Sequence, residues 1–326
     1  MVTAERYDRE TAGEWNGFVA RSKNGTFLFD RNFMDYHAER FKDVSLVFRD
    51  RRGMLCGLLP ANFDEVSRTV LSHGGLTYGG LVLGSGAVQA SVNEMLVLAA
   101  DLYSRTMGAR FLVYKPTPYI YHRIPAEEDL YALHRMGASL TARAVSSALV
   151  PSAGLRYRKG RRACVAKALN AGLSVEEVRD SGSPLLWRFH EILTESLMKR
   201  HNVAPVHSYA EMELLAGRFP ENIRLFVVKN GGDIVSGGWI FVTHCAVHTQ
   251  YLVNTDEGRR MGAEDLLIDY LVSKKYAAVR YFDFGVSTEN NGMHLNENLI
   301  SMKEGFGARS VCYDTYTLAL SRHSAV

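Results

Sequence analysis

Apolar and polar residues run through this chain in two long rounds of the same order. Val44–Arg49 is an apolar run, Asp50–Gly53 a charged turn, and Met54–Pro60 a second apolar run. Ile223–Val228, Lys229–Asp233 and Ile234–Val242 repeat that order, with Asn230-Gly231 as a hairpin signal. One more strand follows each hairpin, Thr69–His73 and then Ala246–Val253. Helical spacing comes next in both rounds, at Val92, Met95, Leu96, Ala99 and Tyr103, and at Ala263, Leu266, Leu267, Tyr270 and Leu271. A buried-looking strand follows, Phe111–Lys115 and again Val279–Phe284. Finally Met136-Gly137-Ala138 opens an extended Arg143–Val150, and Phe306-Gly307-Ala308 opens Val311–Leu318.

The shared order, with little drift in offset, points to duplication of a domain. Its period is longer than those of solenoid repeats. The breaker cluster Pro151-Ser152-Ala153-Gly154 marks the boundary, so domains 1–150 and 151–326 are expected. A meander followed by a helix and one further strand predicts an α+β (mixed α/β) class, each domain a mostly antiparallel central sheet flanked by helices. There is no G-x-G-x-x-G after the first strand and no G-x-x-x-x-G-K-[ST], so dinucleotide and P-loop chemistry are not expected.

Composition narrows the function classes further. The 326 residues are enough for two domains, and 47% hydrophobic with 22% charged content suits a packed globular core. A formal net charge of +3 argues against a surface that coats nucleic acid broadly. Cys56, Cys164, Cys245 and Cys312 lie far apart without a C-x-x-C pair, which suits a reducing compartment. The N-terminus is charged from residue 5, and no apolar run approaches the ~20 residues of a membrane span. A soluble cytoplasmic protein without a metal site is expected.

Tyr281-Phe282-Asp283-Phe284-Gly285, followed by Met302-Lys303-Glu304-Gly305-Phe306-Gly307, resembles the C-terminal signature of Fem-type (FemAB-like) transferases. Those proteins belong to the GNAT-fold acyl-CoA N-acyltransferase superfamily and contain two GNAT-like domains. The basic stretch Leu155–Leu169 is similar to the family's basic helix at the start of the second domain. His73-Gly74-Gly75-Leu76-Thr77-Tyr78-Gly79-Gly80 resembles the Gly-rich loop of the first. The resemblance covers most of the chain and implies tandem GNAT-like domains, with the acyl donor in the second. One departure stands out. Typical acetyl-CoA-binding domains carry Arg/Gln-x-x-Gly-x-Gly/Ala after their central strand, whereas Arg259-Arg260-Met261-Gly262-Ala263-Glu264 puts a carboxylate at the second small position. A carboxylate there repels a pyrophosphate. Fem-type enzymes also tend to lack a clean version of this loop, and many take their acyl group from aminoacyl-tRNA.

The resemblance implies that Ala246–Val253 splays from its neighbour, with Tyr251, Leu252 and Val253 lining an acyl channel. Arg259, Arg260 and Gly262 would then receive donor phosphates at the start of the next helix. Lys303 is expected beside the transferred acyl group, offsetting charge in the tetrahedral intermediate. Asp283 interrupts an apolar strand and is either a general base or a structural partner for a backbone N–H or the Arg280 region. In the first domain Tyr78, Lys115, Tyr119, Tyr121 and His122 form a polar, aromatic cluster suited to a sugar acceptor, with Pro116 and Pro118 holding the segment extended. Arg156, Arg158, Lys159, Arg161, Arg162 and Lys167 are either a solvated helix face or a contact for tRNA or nucleotide-linked phosphates. The expected activity is N-acyl transfer from acyl-CoA (acetyl-CoA) to an amine, such as an amino sugar in cell-envelope or polysaccharide synthesis. The rivals are a Fem-like aminoacyl-tRNA-dependent transferase acting on a peptidoglycan precursor, and a non-catalytic degenerate GNAT pair that binds a ligand or partner.

Overall fold

The computed structural model describes residues Met1–Leu320. No helix among them is long and apolar enough to cross a membrane. They form two compact units: Met1–Val145 with Thr288–His294 and the segment from Cys312 on, and Ser146–Ser287 with Leu295–Val311.

In chain order the elements are β1 (Thr3–Arg6), α1 (Ala12–Arg21), α2 (Arg31–Met34), β2 (Leu46–Arg49), β3 (Leu55–Leu59), β4 (Asn62–Asp64), β5 (Thr69–Leu71) and β6 (Val82–Leu83). Next come α3 (Gln89–Met107), β7 (Phe111–Tyr114), α4 (Glu128–Arg135) and β8 (Ser139–Leu149), whose last residues belong to the second unit. There follow α5 (Lys159–Asn170), β9 (Ser174–Val178), α6 (Pro184–His201), α7 (Tyr209–Arg218), β10 (Ile223–Asn230), β11 (Asp233–Val242) and β12 (Ala246–Asn254). The chain continues through α8 (Asp256–Met261), α9 (Ala263–Tyr270), β13 (Tyr281–Val286), β14 (Thr288–Glu289), β15 (His294–Leu295), α10 (Glu297–Glu304) and β16 (Arg309–Ala319).

In the first unit β1, β2, β3 and β6 form one antiparallel sheet, and β4, β5, β7 and β16 are successive neighbours in another. The predicted stripe on α3 is the buried one: Val92, Met95, Leu96, Ala99 and Tyr103 all have no exposed surface. The Tyr103 hydroxyl donates to the Val44 carbonyl at 3.0 Å, so the one polar group in that stripe is satisfied. The end of the chain completes this unit. Tyr316 lies opposite Tyr114 and Leu318 opposite Leu112 in the antiparallel β7–β16 pair, and Leu318 and Leu320 join its core. A reading along the chain places Val311–Leu318 with the second half, but its residues from Cys312 on pack in the first unit. Strand edges are satisfied by whichever backbone lies beside them, at any separation in sequence.

In the second unit the strand order is the end of β8, then β13, β12, β11, β10 and β9. The strands β9 to β12 form an antiparallel meander, whereas β12 and β13 run parallel. On one face Leu266, Leu267 and Leu271 pack with Phe226, Ile240, Val247 and Phe282. On the other, Phe189 of α6 lies so close to Gly237 that a Cβ there would sit 2.9 Å from its ring.

Truncating Leu318, only 2% exposed, to alanine should destabilise the protein by about 2–5 kcal/mol, as for other buried leucines. Urea unfolding measures this, and an unmoved midpoint would mean that the last strand adds nothing to the first unit's core.

Candidate active site

The second unit's parallel strands pair over only part of their length. Ala246 lies opposite Tyr281, Val247 opposite Phe282 and His248 opposite Asp283. Past that point β12 continues beside β11 as far as Asn254 opposite Ser236, with no further β12–β13 pair among the described residues. Each strand has a local cause for parting. In β12 the register with β11 shifts between Thr249 and Tyr251, so Gln250 is a bulge residue that bends the strand. In β13 Gly285 adopts φ +75°, a left-handed conformation that glycine enters without the penalty of a side chain. On β12 the Thr249 hydroxyl and the Gln250 side-chain amide oxygen are buried without a hydrogen-bond partner. Buried polar atoms of this kind call for a partner such as an ordered water, an ion or a ligand group.

The last paired residues carry the chemistry. Asp283 has no exposed surface, yet three donors surround its carboxylate. Ser146 Oγ lies at 2.5 Å and the Gly285 N–H at 3.1 Å from Oδ1, and His248 Nδ1 lies 2.8 Å from Oδ2. The backbone N–H weighed as a partner from the sequence is that of Gly285, and Ser146 and His248 join it. Burying a carboxylate is affordable only with such donors.

Lys303, on α10, is 3% exposed, and its ammonium donates to the Gly285 carbonyl at 2.7 Å, the Val286 carbonyl at 2.9 Å and Ser287 Oγ at 2.8 Å. It clamps the end of β13 just past Asp283. Burial pushes its pKa down to about 8, with the Asp283 charge opposing the shift.

The remaining donor-site candidates separate. Tyr251 and its cross-strand neighbour Trp239 face a cluster in which the Tyr251 hydroxyl meets His207 Nδ1 at 2.8 Å. Burial raises the Tyr251 pKa. Leu252 packs into the core on the α9 side, and Val253 is 2% exposed. The helix expected to begin near Gly262 is preceded by α8, which starts directly after β12. Gly262 has φ +81°, and a Cβ there would lie 2.6 Å from the Cys164 carbonyl oxygen of α5. Arg259 Nη2 donates to the Asn254 carbonyl at 3.0 Å, and Arg260 is exposed. The first turn of α9 carries Glu264 and Asp265, whose pKa values are both raised, chiefly by burial. Arg161 binds Asp265 through contacts of 2.9 and 3.1 Å. The side chains of Arg156, Lys159, Arg162 and Lys167 make no hydrogen bond or ion pair among the described residues, and all four are exposed.

In the first unit, Tyr78 and Tyr121 are buried with rings 4.7 Å apart, and His122 is buried with Nε2 2.8 Å from the Thr117 carbonyl. Tyr119 is exposed, and burial lowers the pKa of the half-buried Lys115. Only Lys115 and Tyr119 of that set reach the surface.

Sequence reasoning missed His248 and His207. The pairing of His248 with Asp283, 35 residues away, depends on a parallel register that no local pattern encodes. No group of three or more His, Cys, Asp or Glu side chains is placed to hold a metal ion among the described residues.

Residues 156–291 match the acetyltransferase (GNAT) domain family. The whole chain shares its fold with FemX, at a TM-score of 0.66, 13% identity and coverage of 97% of each chain. It also resembles L-PGS from Bacillus licheniformis, at a TM-score of 0.63 and 14% identity over 97% of this chain and 93% of that one. A tandem GNAT protein from the clavulanic acid biosynthesis pathway aligns over 99% of this chain and 100% of that chain, with a TM-score of 0.54 and 14% identity. By sequence, the chain matches none of the curated proteins. The fold is thus that of a two-domain, Fem-like GNAT protein, mixed α/β in class.

The Lys303 pKa predicts a pH effect on stability. Between about pH 8 and its ordinary value of 10.5, the unfolded chain holds a proton that the folded chain lacks. The contribution is therefore complete above the unfolded value and is lost as pH falls through about 8. Urea midpoints of the wild type and Lys303→Met at pH 7 and pH 10 should diverge in favour of the wild type at the higher pH. A pH-independent difference would refute the shift.

Proposed function

We propose that this protein is an N-acyltransferase that moves an activated acyl group onto an amine, with the acyl carbon at the parting of β12 and β13. The carrying observation is that parting itself. It removes strand partners from the inner edge of β12, so backbone N–H groups become available to an acyl oxygen, and it sets ionisable side chains at the fork. The unpartnered Thr249 and Gln250 oxygens support a polar acyl group such as an aminoacyl group, whose ammonium they would accept. Lys303 supports the β13 backbone at the fork and lends positive charge to the tetrahedral intermediate.

Two donors suit this reading. Acyl-CoA is the usual donor of GNAT domains, and its pyrophosphate would lie at the start of α9. The local chemistry favours the second donor, aminoacyl-tRNA. The α9 terminus carries Glu264 and Asp265, its Gly262 is backed by α5, and the Arg161 charge is engaged by Asp265. By contrast Arg156, Lys159, Arg162 and Lys167 offer unengaged positive charge to phosphates along a strand. The acceptor is an amine, an amino sugar or the peptide amine of an envelope precursor in the cytoplasm.

Donor assays with mass-spectrometric detection of the acylated amine, alongside thermal shift with CoA and acetyl-CoA, test this reading. Transfer from aminoacyl-tRNA without stabilisation by CoA is the expected outcome. Stabilisation and transfer with acetyl-CoA would instead establish the thioester donor. Replacing Arg156, Arg162 and Lys167 by glutamine should weaken tRNA binding and reduce its log–log salt slope by roughly two to three, about one for each phosphate no longer neutralised. An unchanged slope would remove this face from the donor site. Binding of a donor without any transfer would support the non-catalytic alternative.

A further inference from the structure

We infer that His248 is the general base of this acyl transfer and that Asp283 is its positioning residue. The inference rests on the reading of the fork as the acyl site and assigns the proton-transfer step there. His248 is the last β12 residue paired with β13, so its ring stands where the strands separate. Asp283 accepts from Ser146 Oγ and from the Gly285 N–H, and its Oδ2 lies 2.8 Å from Nδ1 of the imidazole. A carboxylate can only accept there, so Nδ1 carries the proton and Nε2 is the basic nitrogen. Gly285 lets the strand backbone pass close to the ring: an added Cβ would lie 3.2 Å from His248 Cε1 and 3.8 Å from Nε2.

The other ionisable groups at the fork are less suited to the role. Asp283 has no exposed surface and meets a substrate only through the imidazole. The Lys303 ammonium already donates to three acceptors and is mostly protonated below about pH 8. The Tyr251 hydroxyl is hydrogen-bonded to His207, and burial raises its pKa.

In the step, the acceptor nitrogen attacks the acyl carbon and forms the C–N bond as its proton passes to His248 Nε2. The imidazolium is stabilised by the Asp283 carboxylate. Collapse breaks the C–O bond of an aminoacyl ester, or the C–S bond of a thioester, and the leaving oxygen or sulfur takes the proton back. There is no net change in protons on the protein.

The test compares the wild type, His248→Gln, Asp283→Asn and Asp283→Glu with an acceptor amine of low pKa, so that acceptor ionisation does not shape the profile. His248→Gln should lower kcat by about 100-fold or more, with KM within threefold, and abolish the acidic limb of the kcat–pH profile. Asp283→Asn should lower kcat and displace that limb, and Asp283→Glu should restore part of the rate. Histidine ¹⁵N spectra of the wild type provide a check independent of variant folding, with the Nδ1–H tautomer expected at His248. A folded His248→Gln with kcat within threefold of the wild type, or an Nε2–H tautomer, overturns this inference and leaves the acyltransferase reading standing. Failure of the wild type to transfer from either donor overturns both.

Discussion

The second unit depends on a carboxylate placed where two parallel strands stop pairing. Asp283 has no contact with solvent, and its ionised form is tolerable only because a serine, a backbone N–H and an imidazole all point at it. Those groups come from three strands, β8, β13 and β12, and Lys303 from α10 holds Gly285, Val286 and Ser287 in place. Removing one partner of such a buried charge typically costs about 3–5 kcal/mol, whereas the assembled set adds little to stability. An arrangement that is costly to break and contributes little to folding suits a site held in one geometry.

On the proposed reading, the same fork lets a GNAT-type unit work with an altered donor loop. The acyl end of a donor needs an unpaired strand edge, and the bulge at Gln250 with the glycine turn at Gly285 provides one. The phosphate end needs positive potential, which an α9 terminus bearing Glu264 and Asp265 supplies poorly. On the proposed reading, the exposed basic residues of α5 supply that potential, and they suit an extended polyanion better than a compact pyrophosphate. In the first unit, Tyr78 and Tyr121 are buried against each other and serve packing.

Much of the architecture was legible in the chain, because hydrophobic period and turn residues are local signals. The hairpin at Asn230-Gly231, the buried stripe of α3 and the basic helix α5 are all where their patterns predict. Asp283 could be singled out because a charged residue in an apolar strand is conspicuous, and Lys303 because of the resemblance to the Fem-type signature. Their partners could not. The final strand could also not be assigned to its unit, since Leu318 has the same alternation whichever sheet it joins.

The sequence by itself determined the mixed class and the duplicated order of elements, which follow from short-range spacing, while the resemblance to Fem-type transferases pointed to Lys303. Only the tertiary structure decided that His248 meets Asp283, that Lys303 closes on three acceptors beyond it, and that Tyr78 and Tyr121 are interior. Each of those outcomes turns on the register between strands or on which face of a strand is covered. A shift of one residue reverses every side chain, and no local pattern specifies it.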